Sequence, residues 1–231
     1  MSQPLIKALF VAVLFFWVAS GAQALSLADI SGKEASGGLK EALTQGATKA
    51  VDLLGRPDGF LGNPRVRIPL PGALEQAEGL MRAMGMGKQA DELITAMNRA
   101  AEAAVPEAKK LLVDAVKQMS VEDAKAILTG GQDAATRYFE RKTRGPLGQK
   151  FLPIVRKAIE KVRLKDTYER FAQKGARFGL IEEKDAHLEN YVTEKALDGL
   201  YLMIAEEEKA IRENPVGAAG KLAKKVFGAL Q

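Results

Sequence analysis

Few residues of this chain could carry chemistry. There is no cysteine and a single histidine, His187. Beyond the N-terminal stretch the serines are Ser26, Ser31, Ser36 and Ser120. The first two fall in a short polar lead-in, and the last two stand where helix caps are expected. No G-x-S-x-G elbow occurs, so nucleophilic hydrolysis has no motif to rest on. Glu182, Glu183, Asp185, His187 and Glu189 crowd together and would suit a hard cation. Acids also gather at a helix start because its dipole favours them, and that is the reading adopted, with no metal and no cofactor expected. One histidine and no thiol exclude a zinc site of several His or Cys ligands. Asp58-Gly59 and Gly62-Asn63 lack EF-hand spacing, and Gly217-Ala218-Ala219-Gly220-Lys221 is too short for a P-loop. Glycan cleavage needs only two carboxylates, for which Glu102, Asp123, Asp198 and Glu208 are candidates. The Glu-Ser pair frequent in helical lysozyme-like enzymes is missing.

Polar binding is the other possibility. Asn98 and Glu102 lie one helical turn apart with Arg99 between them, and the trio could orient a polar ligand. The reading favoured is a buried hydrogen-bond and ion-pair network tying alanine-rich helices together. Met81, Met84 and Met86 are read as core rather than as an adaptable apolar surface. Charge is uneven: residues 141–165 hold nine Lys/Arg and one acid, whereas 182–208 hold nine Asp/Glu and two Lys. The two segments are expected to pack side by side and neutralise each other. A basic face for anionic lipid or glycan is the alternative. A formal net charge of +5 is too weak to argue for nucleic acid.

Helices must position these residues, because apolar positions recur at helical spacing almost throughout. A helix is expected from about Ser36, with Leu39, Leu43, Ala47, Ala50 and Leu54 on one face and Gly55 as its stop. Residues 55–71 then break all periodicity with four prolines and three glycines. Such a long connection is unusual in a compact helical domain. Its Phe60, Leu61, Val66, Ile68 and Leu70 predict that it docks on the helices, with Asp58-Gly59 as the turn that aims Phe60 inward. Helices resume after Pro71 and end at Gly85. The next is predicted from Lys88 to Val105, and Pro106 kinks it or opens another through Met119. Ser120 to Asp123 reads as a capping box. Asp133 is expected to cap a helix holding Tyr138 and Phe139. Pro146 is expected to open a further helix, Pro153 to interrupt it, and another helix to span Lys165 to Phe178. The longest, Lys184 to Glu213, carries Leu188, Val192, Ala196, Leu200, Met203 and Ile204. Its Leu200–Ala205 run is apolar all round and so central, and Gly199 predicts a close helix crossing. Asn214-Pro215 ends it, and a short amphipathic C-terminal helix follows. The fold class predicted is all-α: an irregular bundle of about eight or nine helices with one long Pro/Gly-rich loop.

The N-terminus reads as a secretory signal peptide: Lys7, the apolar run Ala8 to Ala19, and Ala22-Gln23-Ala24 as the cleavage site. Twelve apolar residues at about 1.5 Å each cannot cross a core of about 30 Å. Residues 1–24 are therefore assigned to the signal, 25–35 to a lead-in, and 36–231 to a single helical domain. The processed chain is expected in the periplasm without a transmembrane segment.

Several stretches resemble a known family. They are Gly59-Phe60-Leu61-Gly62-Asn63-Pro64 with Ile68-Pro69-Leu70-Pro71, Met97-Asn98-Arg99-Ala100-Ala101-Glu102, Asp133-Ala134-Ala135-Thr136 with Tyr138-Phe139, and Lys195-Ala196-Leu197-Asp198-Gly199-Leu200 with Glu207-Glu208 and Ile211-Arg212. Together they are similar to the exported bacterial proteins called the domain of unknown function 4197 family, over about residues 35–230. The resemblance implies a helical envelope protein and supplies no activity, ligand or catalytic residue. Candidate contacts to a ligand or partner are Phe60, Asn63, Asn98, Arg99, Glu102, Thr136, Tyr138, Asp198, Glu208 and Arg212.

The function expected is a non-enzymatic periplasmic protein that binds or scaffolds an envelope component, be it protein, glycan or anionic lipid surface. A glycan-cleaving enzyme and a carrier of an apolar small molecule are the alternatives. N-terminal sequencing of the protein recovered from the cell envelope should begin at Leu25. Recovery from the membrane fraction with Met1 intact would contradict the export reading.

Overall fold

The computed structural model describes residues 32–72, 78–83, 85, 87–160, 165–166, 168–169, 173 and 187–214. The signal sequence, the C-terminal amphipathic helix, Met84, Met86, Glu182 to Asp185 and most of the Lys165–Phe178 segment lie outside the described residues. So does the side chain of Met81 on the helix expected after Pro71.

The described residues are all-α, with no strand. They form α1 (Gly32–Leu54), α2 (Glu78–Ala83), α3 (Gly87–Ala104), a 3-10 turn (Val105–Glu107), α4 (Ala108–Lys117), α5 (Val121–Leu128), α6 (Ala134–Ile159) and α7 (Leu188–Glu213). Helices α6 and α7 pack along each other most extensively; α3 lies against α6, and α1 covers α7, α4 and α5. No helix among the described residues is long and apolar enough to cross a membrane.

Apolar spacing accounts for most of these elements. Leu39, Leu43, Ala47, Ala50 and Leu54 are all buried on α1. On α3 Leu93, Ile94, Met97, Ala101 and Ala104 are buried, and Ala90 and Ala100 join them with only a methyl group to hold neighbours away. Gly85 ends the preceding helical stretch with a left-handed φ of 78° and its N–H on the Arg82 carbonyl, the expected glycine stop. Pro106 sits in the first turn of the 3-10 helix that separates α3 from α4. Ser120 and Asp123 form the capping box, each side chain accepting the other's backbone N–H at 3.0 and 3.1 Å.

Elsewhere tertiary packing overrides the local signals. Helix α1 starts at Gly32, a turn before Ser36, which sits buried inside it rather than at its cap. Helix α7 starts at Leu188 rather than Lys184, since His187 is extended. Pro146 and Pro153 divide nothing: α6 runs unbroken through both. An interior proline costs about 3 kcal/mol, but both rings face solvent. The carbonyls they free belong to the exposed Lys142 and Gln149, which water can reach. The opposite face buries Leu147, Phe151, Val155 and Ile159 completely. At about 1.5–3 kcal/mol per large apolar side chain, that face outweighs the local breaks. Joining these segments lowers the helix count that proline positions suggest.

Helix α7 crosses the centre of the fold. Leu188, Val192, Ala196, Leu200, Met203 and Ile204 are buried, and Tyr201 is 5% exposed. Leu202, however, is 39% exposed, so the Leu200–Ala205 run is not covered on every side. Burial pushes the Tyr201 hydroxyl up to about 12, against the hydrogen bond at 2.9 Å that it shares with Thr143 on α6.

Ile204→Ala or Leu200→Ala should destabilise the protein by about 2–5 kcal/mol through lost transfer energy and a residual cavity. Leu202→Ala should cost much less. Denaturant melts of the three variants check this ordering.

Candidate functional site

The segment 55–71 carries the least regular backbone and the most deliberate set of polar contacts among the described residues. It leaves α1 at Gly55, whose N–H reaches the Val51 carbonyl at 2.8 Å. Asp58 then takes a left-handed φ of 63°, a conformation short polar side chains tolerate. Gly59 follows so close to the end of α1 that an added Cβ would collide with the Leu54 carbonyl oxygen. This turn drives Phe60 inward, as the sequence predicted. Phe60 is fully buried, with Val66, Ile68 and Leu70 also in the core.

Burying irregular backbone requires partners for its N–H and C=O groups. Two side chains of α3, one turn apart, supply them. Asn98 is fully buried. Its Oδ1 accepts the Ile68 N–H at 2.8 Å, and its Nδ2 donates to the carbonyls of Ile68 at 2.9 Å and Ile94 at 2.8 Å. One amide side chain thus satisfies both backbone groups of Ile68, as a neighbouring strand would. Glu102 accepts two consecutive amides on Oε1, from Phe60 at 3.0 Å and Leu61 at 3.1 Å. Its Oε2 accepts Arg99 Nη1 at 2.6 Å, and Arg99 Nη2 reaches Asp58 Oδ1 at 2.8 Å. Those bonds to Glu102 and Asp58 raise the Arg99 pKa above its ordinary value. Asn63 tightens the loop from within: its Oδ1 accepts the Arg65 N–H at 3.1 Å, and its Nδ2 lies 4.0 Å from Met203 Sδ on α7.

Helix α7 leaves room for this loop at Gly199. A Cβ there would lie 2.7 Å from Phe60 Cε1 and 3.3 Å from the Val66 Cβ. The close approach expected at Gly199 is therefore made by the loop and not by another helix. Tyr191 adds a bond from its hydroxyl to the Pro69 carbonyl at 3.2 Å.

A second carboxylate repeats the device. Glu208 on α7 is 4% exposed and stands at the start of α6. Its Oε1 accepts the Ala135 N–H at 3.0 Å; its Oε2 accepts the Thr136 N–H and hydroxyl, both at 2.9 Å. Arg212 donates to Glu208 Oε1 through Nε at 3.1 Å and Nη2 at 2.8 Å. The same Nη2 reaches the Ile127 carbonyl near the end of α5 at 3.0 Å. An anion thus meets the positive end of α6 and a cation the negative end of α5. Asp133 makes no side-chain cap bond and pairs with Arg137 instead. The expected cap is replaced because Glu208 arrives from another helix and already occupies the free amides.

The candidate residues accordingly fall into separate groups. Phe60, Asn63, Asn98, Arg99 and Glu102 hold the loop, while Thr136, Glu208 and Arg212 join α5, α6 and α7. Tyr138 is buried and donates to the Ala115 carbonyl at 2.9 Å, tying α6 to α4. Asp198 is exposed and pairs with Arg144 at 2.7 Å, beside Glu194 at 2.6 Å. Burial opposes the charge of Arg144, but the hydrogen bonds it donates to Asp198 and Glu194 outweigh it and raise its pKa. With Arg156–Glu189 at 3.7 Å, these pairs show the basic and acidic segments packed side by side. Arg144, Asp58 and the Ile127 carbonyl carried no sequence signal of their roles beyond charge asymmetry and the Asp-Gly turn.

Of the expected acidic group, His187 and Glu189 are described, and they meet Glu169 with ligand atoms within 4.8 Å. Lys165 stands 2.9 Å from Glu169 and Arg156 beside Glu189, so cationic side chains already balance both carboxylates.

Two outcomes test the loop clamp. Native trypsin should spare Arg65 and Arg67 in the wild type and cut there in Asn98→Ala or Glu102→Ala, since each orphaned buried group costs about 1–3 kcal/mol. Gly199→Ala should destabilise by about 1–3 kcal/mol through overpacking, although helix propensity alone favours alanine by about 1 kcal/mol. Thermal or denaturant melts read the sign.

No curated protein matches the chain, and no solved structure does. A family model described as "Protein of unknown function (DUF4197)" matches residues 29–228, nearly the whole chain. The buried Asn98–Glu102 clamp and the Glu208–Arg212 junction therefore belong to a member of that family.

Proposed function

We propose that this chain is an exported, non-enzymatic helical protein of the periplasm that binds or scaffolds a component of the cell envelope. The observation that carries this reading is the state of the two carboxylates buried among the described residues, Glu102 and Glu208. A general acid or nucleophile must present an oxygen to its substrate. Both oxygens of Glu102 and both of Glu208 are already engaged by backbone amides, an arginine or a hydroxyl. Glu102 and Glu208, two of the four carboxylates considered for glycan cleavage, instead hold backbone in place, which supports a rigid platform over a reaction centre. The signal-like N-terminus supports export, and a groove between α6 and α7 opens at the surface as docking sites do.

Native mass spectrometry of protein purified from the periplasm should show a copurifying ligand or partner. Incubation with purified peptidoglycan should release no soluble fragments. Release that Glu102→Gln or Glu208→Gln abolishes would overturn the non-enzymatic reading.

A further inference from the structure

On its solvent side the clamped loop forms one wall of a small cleft. Arg65 to Pro69 line it, facing Lys195, Asp198, Gly199 and Leu202 of α7, around a volume of about 220 Å³. That is below the roughly 300–1,000 Å³ of a pocket for a whole drug-sized ligand, and suits one end group of a larger molecule.

The charges of this cleft do not cancel. Arg65 is ion-paired with Glu206, and Asp198 is held by Arg144 at 2.7 Å. Arg67 and Lys195 have no carboxylate within ion-pair distance among the described residues. Lys195 Nζ instead lies 5.8 Å from the centre of the Tyr191 ring. Asp91, on which Arg67 exerts a weaker pull, is bound to Arg82 at 2.7 Å. Two exposed cations thus line one cleft with their charge uncompensated, beside Leu202, one of the two large apolar side chains exposed among the described residues.

We propose that this cleft binds a phosphate monoester group, with Arg67 and Lys195 as its ligands and Leu202 against the apolar part that carries it. Two uncompensated cations match an anion of about −1.5 to −2, the charge of a phosphomonoester near neutral pH, better than a singly charged carboxylate. The arginine fork offers paired donors, and the lysine a point charge, to its oxygens. The wall is rigid, because Ile68 is held on both backbone groups by Asn98, so Arg67 is presented from fixed backbone. This gives the binding reading a ligand class and rests on it in that respect. The test below is made in solution, so its failure would leave the outcome of periplasmic copurification untouched.

The isotope-labelled protein, purified from its host, is titrated with methyl phosphate at constant ionic strength while amide resonances are followed, with acetate as the reference anion. Saturable shifts are expected at residues 65–68 and 195–202, with acetate at least tenfold weaker. Arg67→Ala/Lys195→Ala should weaken phosphate binding at least tenfold without moving the melting temperature, since both side chains are exposed. Cosedimentation with phosphatidic acid vesicles, lost in the same variant, assigns the group to a lipid. Phosphate binding without cosedimentation assigns it to a soluble phosphorylated molecule. Equal shifts with acetate, shifts elsewhere, or binding unchanged in the double variant would overturn the proposal.

Discussion

A buried loop with irregular backbone must find hydrogen-bond partners that neither a helix nor a sheet supplies. This constraint governs the segment from Gly55 to Pro71. Its prolines reduce what the unfolded chain loses on ordering, and its apolar side chains favour burial. Neither effect removes the cost of desolvating its amides and carbonyls. Asn98 and Glu102 remove it, standing one turn apart on a helix whose other inward positions are mainly alanine and apolar side chains. Around that contact the rest is arranged: α1 ends at Gly55 against Pro106, α3 stays close because its contacts are alanines, and α7 places glycine where the Phe60 ring arrives.

Glu208 shows the same chemistry at a helix junction. In both places a glutamate accepts two consecutive amides while an arginine three or four residues away neutralises it. Charge-assisted bonds of this kind are stronger than neutral ones, and each carboxylate is buried although Arg99 itself reaches solvent. Carboxylates so engaged define geometry and are poor candidates for proton transfer. The loop's rigid backing makes its outer side a defined surface.

Electrostatics sorts those surfaces. The basic segment on α6 and the acidic segment on α7 meet through Arg144 and Arg156, so part of the charge asymmetry along the chain is neutralised where these helices pack. Exposed pairs of this type add little stability, but they set which cations are left over. Arg67 and Lys195 remain beside the loop because their neighbouring charges have other partners.

The sequence alone determined the elements whose signals are local. Periodicity placed α1, α3 and α7, glycine and the Ser120–Asp123 box placed stops and starts, and the apolar residues among the prolines of 55–71 predicted a docked loop. It also indicated that Asn98, Arg99 and Glu102 form a network rather than a catalytic set. Tertiary structure alone decided what that network holds, because the Ile68, Phe60 and Leu61 backbone groups have no sequence signature as partners. It decided that Glu208 and not Asp133 caps α6, since the cap comes from a helix over seventy residues away in the chain. It made one helix of the stretch containing Pro146 and Pro153, because a fully buried apolar face outweighs two solvent-facing breaks. It assigned Gly199 to the loop, since a glycine marks a close approach in sequence but only packing determines what approaches.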